Sequence, residues 1–354
     1  MAHMLGLLTL AVAAASPLEE LASIAPALHA LHKRAVSEPS ALADELRELS
    51  ASTLAPTLSA PLTSEARSSN SSLPVVLGHG MGDSCFNSGF QSVTKLVGDH
   101  LGVYSVCIPT GDNVITDTIN GFLLNMDASV DVFAKAVRAD PKLAGGFNAI
   151  GLSQGNNLIR GYIQKYNDPP VHAYLSICGI NAGVAAFPQC LPTIPVVGGA
   201  CAALTEVLGD LAYLEIIQNH LFQANYFRDP TKLADATYMA NSQLAAWNGE
   251  GSPGRTNSSL AKHNWAKTEK FVWIRGTLDT VVWPNQAEQW GVVSSDYPAN
   301  KTVLPMTQAN WYLDDPFGLQ TASKREANYF EQFAGEHIQM SSAELTGWLD
   351  KYFA

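Results

Sequence analysis

The segment NAIGLSQGNN, residues 148–157, places Ser153 between Gly151 and Gly155 in the pattern G-x-S-x-G. A serine hydroxyl attacks a carbonyl only when a neighbouring base takes its proton and a carboxylate orients that base. The surroundings make this serine a candidate nucleophile. An apolar, strand-like run precedes it, and NLIRGYIQKY after it has helical spacing. In a strand-to-helix turn of this kind the serine is held in a strained conformation, and flanking glycines remove side chains that would collide there. The hydroxyl then stands at a helix N-terminus, where free N–H groups and the helix dipole favour developing negative charge.

On such a turn the partners follow in the order serine, acid, histidine. The histidines downstream are His172, His220, His263 and His337. His172 falls in a strand-like run and His220 in a helical stretch. His337 stands in FAGEHIQM, a glycine turn just before the final helical segment, and is the expected base. Asp279 in RGTLDTVVWP directly follows a strand-like run and is the expected acid. Asp314 and Asp315 are rivals in a Pro-flanked loop with no strand immediately before them. A tetrahedral intermediate also needs two backbone N–H donors. Gln154, directly after the serine, supplies one. Met81 in GHGMGD (78–83) supplies the other, with Gly80 and Gly82 allowing close approach. His79 is expected to organise that loop through hydrogen bonds.

These groups need strands that end on one common edge. LPVVLGHG, VYSVCIP (103–109), FNAIGLS, VHAYLSICG (171–179), KFVWIRG (270–276) and KTVLPM (301–306) read as strands. Residues 114–139 read as one amphipathic helix, with Ile115, Ile119, Phe122, Met126, Val130, Phe133 and Val137 on its core face. SAELTGWLDKYF closes the chain as a helix. Strands separated by helices, several of them apolar throughout, imply a mainly parallel sheet covered on both faces. The fold class is therefore α/β, and the G-x-S-x-G turn with its serine, acid, histidine order points within it to the α/β-hydrolase fold. A helical insertion at about 184–265 is expected either as a cap over the carboxyl edge of the sheet or as additional core packing.

The 354 residues have room for one large core, and 47% apolar against 15% charged residues suits a globular chain. A net charge of −11 disfavours nucleic acid and anionic membrane as partners. Residues 1–16 are expected to be a signal peptide. Their apolar run is shorter than the roughly 20 residues a spanning helix needs, so no stable membrane insertion is expected. Residues 17–72, cut by prolines at 17, 26, 39, 56 and 61, read as a pro-segment or extension, which leaves 73–354 as the catalytic domain. Asn70, Asn257 and Asn300 stand in glycosylation sequons. Of the five cysteines, Cys190 and Cys201 flank a Pro/Gly-containing loop and are the expected disulfide. Cys107 and Cys178, inside strand-like runs, are expected as buried thiols. There is no HExxH, CxxC or GxGxxG, so no metal or cofactor is expected.

LGHGMGDSC, LNMDASVDVFAKAVRADPKLAGGFNAIGLSQG, FPQC, QANYFRDP, KFVWIRGTLDTVVWP and GEHIQM together resemble the palmitoyl-protein thioesterases. The resemblance runs in order from about residue 74 to the C-terminus and leaves out residues 1–72. That family comprises lysosomal or secreted α/β-hydrolases that remove acyl groups from cysteine sulfur. The resemblance implies Ser153, Asp279 and His337 as nucleophile, acid and base, Met81 and Gln154 as oxyanion donors, and a Cys190–Cys201 disulfide. It implies an S-acylated protein or peptide, or another long-chain acyl thioester, as substrate, and the lumen of a lysosome or vacuole, or the extracellular space, as location. An apolar groove must hold the acyl chain. Ile216, Leu221, Phe222 and Tyr226 in the insertion are its expected lining, and the protein is expected to be a monomer.

Three departures from the family pattern stand out. Cys85 is followed by Phe86 where relatives often carry a second cysteine, so the link made there is expected to be missing. Asn156 replaces a glycine, and CGINAG (178–183) lacks a histidine of the family segment. Other readings share much of the sequence: a secreted carboxylester lipase or esterase with the same triad, an acyltransferase, or a silent lipid-binding protein.

Overall fold

Short apolar runs form the centre of the structure, a computed structural model that describes residues 73–186, 211–294, 296–297 and 299–353. The segments 1–16 and 17–72, with Asn70, Cys190 and Cys201, lie outside the described residues. The strands are β1 (Val75–Gly78), β2 (Ser105–Cys107), β3 (Phe147–Leu152), β4 (Val171–Ile177), β5 (Lys270–Gly276), β6 (Val292–Val293), β7 (Val303–Leu304) and β8 (Asn328–Phe333). The main sheet has the order β2-β1-β3-β4-β5-β8, and every neighbouring pair is parallel. This is an α/β-hydrolase sheet, with all its strands ending on the same edge.

The helices are α1 (Ser88–Leu101), α2 (Val114–Leu123), α3 (Met126–Ala139), α4 (Gly155–Lys165), α5 (Glu215–His220), α6 (Phe222–Tyr226), α7 (Ala236–Asn241), α8 (Gln243–Asn248), α9 (Ser258–Trp265), α10 (Asn310–Leu313), α11 (Leu319–Lys324) and α12 (Ser342–Tyr352). Successive residues of a strand point to opposite faces. Thus Val75, Leu77, Ile150, Leu175 and Ile274 pack with Phe90 and Val97 of α1 and Leu345 and Leu349 of α12. Val76, Ala149, Tyr174 and Trp273 pack on the other face with α3, α4 and α9. Fully buried Trp273 meets Trp290 edge-on at 5.3 Å, and Trp265 stacks on Phe271 at 4.4 Å. Aromatic packing of this kind immobilises β5, the strand that leads into Asp279.

Four expectations are corrected. Residues 114–139 form two helices, because Asn125 turns extended (φ −62°, ψ 161°) and caps α3 through Ala128 N. The Asn225 side chain then accepts from Met126 N at 2.7 Å, so the new start is satisfied from the insertion. KTVLPM contributes only β7, which pairs antiparallel with β6 outside the main sheet. The sixth strand of that sheet is instead β8, NYFEQF, whose edge position leaves Tyr329 and Phe330 exposed and so erases the apolar signature of a strand. Finally, Cys107 is not a free thiol, and Cys85 has a partner: the two form a disulfide, with Cα atoms 5.4 Å apart, that ties the loop after β1 to the end of β2. Cys178 is buried and free.

Replacing both Cys85 and Cys107 by alanine should lower stability by about 2–4 kcal/mol, because the unfolded chain gains freedom. Urea unfolding checks this, and thiol titration of the unfolded wild-type chain should not detect either cysteine until a reductant is added.

Candidate active site

Ser153 follows β3 directly and adopts φ +53°, a left-handed conformation that costs a non-glycine residue about 1–3 kcal/mol. Its N–H donates to Ile177 O at 3.0 Å. The glycines on either side are sterically required. A Cβ at residue 155 would lie 2.3 Å from Gly78 O, and one at residue 151 would lie 2.3 Å from Asn156 Oδ1. Asn156, the departure noted in the sequence, braces the turn. Its amide donates to Ser153 O (2.9 Å) and Ile177 O (3.1 Å), and its oxygen accepts from Tyr174 OH at 2.7 Å.

The loop after β8 brings His337 to the serine, with Nε2 2.7 Å from Ser153 Oγ. Its Nδ1 lies 2.5 Å from Asp279 Oδ2, on the loop after β5. These distances fit a tautomer in which Nδ1–H donates to Asp279 and Nε2 accepts from the serine hydroxyl. Asp279 Oδ1 also accepts from Val281 N (2.7 Å) and Val282 N (2.9 Å). Burial alone would raise the Asp279 pKa. The hydrogen bond and charge of His337, helped by the Val282 amide, hold it below the ordinary carboxylate value.

Gln154 follows the serine directly, and Met81 lines the same cavity as Ser153. Among the described residues neither backbone N–H has an acceptor. The Gln154 side chain is fixed by donating to Gly121 O (2.7 Å) and by accepting from Gln223 of α6 (2.9 Å). Behind Met81, Asp117 of α2 is completely buried and gathers the loop. It accepts from Ser84 Oγ (2.8 Å), Cys85 N (2.9 Å) and Thr110 N (2.6 Å). His79 forms a buried ion pair with it at 3.3 Å and donates through Nδ1 to Gly80 O at 2.9 Å. Burial alone would depress the His79 pKa, but the Asp117 charge and hydrogen bond raise it to about 9. His79 therefore stays cationic at neutral pH and faces Asp117.

A cavity of about 560 Å³ opens beside Ser153 and His337. Its apolar walls are Phe90, Val93, Leu152, Ile338 and Met340, with Asp83 and Asn87 on its polar side. Leu221, Phe222 and Tyr226 do not line it. They are buried in the core cluster on the α3 and α4 face, because α6 is buried along its whole length and Leu221 directly precedes it; the Tyr226 hydroxyl lies 3.8 Å from Met81 Sδ. The side chain of Ile216 lies outside those described. The rival acid Asp315 accepts from Gln320 N and Thr321 Oγ1 at the start of α11, and His172 pairs with Glu269 at 3.4 Å. Cys178, Asp279 and His337 cluster closely, but the last two are committed to each other and burial pushes the thiol pKa far up.

Sequence reasoning missed Asp117, Gln223 and Glu288, all completely or almost completely buried around this site. Asp117 left one usable signal, the sole charged residue of its helix, placed in the first turn. Gln223 and Glu288 left none, since each is a single polar residue whose partners are distant in sequence or lie around a turn.

The family model described as palmitoyl protein thioesterase matches residues 74–337. Palmitoyl-protein thioesterase 1 of Caenorhabditis elegans is 30% identical over 295 residues, covering 82% of this chain and 95% of the relative. Palmitoyl-protein thioesterase 3 of Dictyostelium discoideum is 30% identical over 261 residues, covering 73% and 82%. The lysosomal thioesterase PPT2 of Homo sapiens is 27% identical over 261 residues, covering 72% and 78%.

The His79–Asp117 pair has a pH signature. The folded His79 pKa lies above the unfolded value of 6.5, so its contribution is fully present below about 6.5 and is lost as pH rises through about 9. A rise from 6.5 to about 9 corresponds to about 3 kcal/mol. Wild type should therefore exceed His79→Gln in urea stability by about that amount near pH 6, with the gap closing toward about pH 9.5.

Proposed function

The chain belongs to the palmitoyl-protein thioesterase family, and we propose that it uses Ser153, His337 and Asp279 to hydrolyse long-chain acyl thioesters of protein or peptide cysteines. The observation that supports this reading most is the continuous hydrogen-bonded line from Ser153 Oγ through His337 to Asp279, opening into an apolar-walled cavity.

His337 Nε2 takes the proton of Ser153 Oγ as the oxygen attacks the thioester carbonyl carbon. The carbonyl oxygen becomes an oxyanion and accepts from the N–H groups of Met81 and Gln154. Asp279 holds the imidazole and stabilises its cation. Collapse of the intermediate breaks the carbon–sulfur bond, and His337 returns its proton to the departing sulfur. Water, giving a proton to His337, then attacks the acyl carbon; the acyl–Oγ bond breaks, Ser153 Oγ takes that proton back from His337, and the fatty acid leaves. Phe90, Val93, Leu152, Ile338 and Met340 take up the acyl chain, each buried CH₂ contributing about 0.8 kcal/mol.

The proposal extends to the whole chain. Residues 1–16 direct it into the secretory pathway, toward a lysosome, a vacuole or the exterior, and 17–72 form a pro-segment before the catalytic body 73–354. Asn257, exposed at the start of α9, and Asn300, with Asn70, carry glycans, Cys190 pairs with Cys201, and the protein acts as a monomer. Among the described residues no helix is long and apolar enough to cross a membrane.

Hydrolysis of a palmitoyl-cysteine peptide beside its oxyester analogue tests the reading. The thioester should be preferred, and kcat should fall by about 10⁴–10⁶ in Ser153→Ala and by about 10⁴ in Asp279→Asn. Preference for the oxyester would move the protein to the carboxylester lipases. Activity surviving in Ser153→Ala would remove the triad.

A further inference from the structure

Behind Asp279 stands a second carboxyl group that the triad does not use. Glu288 lies in the 3-10 turn Asn285–Gln289, packed under β5, and has no exposed surface. Its Oε2 accepts from Gly276 N at 3.0 Å, and its buried Oε1 meets no N–H or hydroxyl donor. Gly276 opens the turn that carries Asp279, whose N–H donates to Gly276 O at 3.2 Å, so the Glu288 carboxyl lies against the Asp279 carboxyl beneath that turn. Two carboxylates in contact in a buried site cannot both be ionised. Asp279 already accepts from Val281, Val282 and His337, so the negative charge belongs there and the proton belongs on Glu288. We propose that Glu288 is a positioning residue, donating a carboxylic-acid hydrogen bond that locks the Asp279 carboxylate in register with His337 Nδ1.

The inference rests on the reading of Ser153, His337 and Asp279 as a triad and extends it by one member. Burial, with the adjacent Asp279 charge, pushes the Glu288 pKa up to about 10, so the acid form persists across the working range. Few charged groups oppose this. Asp279 and the Cys178 thiol face Glu288 directly, His337 is turned to Asp279, and Arg275 on β5 reaches to Gln332 at 3.4 Å. With the folded pKa raised from 4.5 to about 10, Glu288 costs folding nothing below about pH 4.5, and the cost grows as pH rises toward about 10, above which it is complete. Glu288→Gln retains an N–H donor toward Asp279 and abolishes that cost.

The test compares Glu288→Gln, Glu288→Ala and Ser153→Ala as full chains on a palmitoyl-cysteine peptide. Glu288→Gln should keep the wild-type kcat near neutral pH and unfold at no lower urea concentration than wild type. Glu288→Ala should lose about 10–100-fold in kcat with KM little changed, the scale seen when an outer partner of a catalytic ligand is removed. The infrared spectrum of wild type should contain the carbonyl stretch of a protonated carboxylic acid at pH 8, absent from Glu288→Gln. Glu288→Gln as impaired as Glu288→Ala, Glu288→Ala as active as wild type, or no such band in wild type would overturn the proposal. The infrared band is read without turnover, so it still decides the matter if Glu288→Ala fails to fold. Undiminished hydrolysis by Ser153→Ala would instead overturn the proposed function.

Discussion

The left-handed turn at Ser153 is the constraint around which the rest of the site is arranged. It exists because β3 ends one residue earlier and α4 must begin almost at once, leaving a single residue to reverse the chain. That geometry is tolerable only where the flanking positions have no side chains, and the absent Cβ at Gly155 lets the turn rest directly on Gly78 at the end of β1. The same contact brings the loop after β1 within reach of the serine. The serine turn and the loop that reaches it are thus two consequences of one close approach between neighbouring parallel strands.

Electrostatics complete what the backbone begins. Two buried carboxylates stand on either side of the serine and are stabilised by different means. Asp117 is matched by the His79 cation and a set of backbone and hydroxyl donors, which holds the loop carrying Met81 against α2. Asp279 is matched by His337 and two amides, with the Glu288 carboxyl in contact behind it. Buried charge is tolerated only when paired and hydrogen-bonded, so removing one partner from either arrangement would leave the other buried and uncompensated.

The helices between β4 and β5 have two tasks. Their apolar sides extend the core, which is why Leu221, Phe222 and Tyr226 face inward. Their polar groups brace the site at a distance: Gln223 holds Gln154, and Asn225 satisfies the start of α3. On the other face of the sheet, α1 supplies Phe90 and Val93 to the cavity, and the Cys85–Cys107 disulfide anchors the loop that leads into it.

Local sequence carried the parts of this protein that depend on local rules. The parallel sheet was readable because strands buried on both faces are continuously apolar. The hydrogen-bonded set of Ser153, Asp279 and His337 was readable because each residue follows a strand or precedes a helix in a recognisable way. What the sequence could not convey depends on contacts between segments far apart in the chain. β8 has an edge strand's polar pattern, the split between α2 and α3 is satisfied by Asn225, and Cys107 finds Cys85 across two loops. Whether an apolar residue such as Phe222 lines a groove or fills a core depends on which way its helix faces, and hydrophobicity is the same in both cases. Likewise an acid at position 288 has no visible role until folding places a second carboxyl against it. The tertiary structure decided these features because burial and neighbouring charge exist only once distant segments have met.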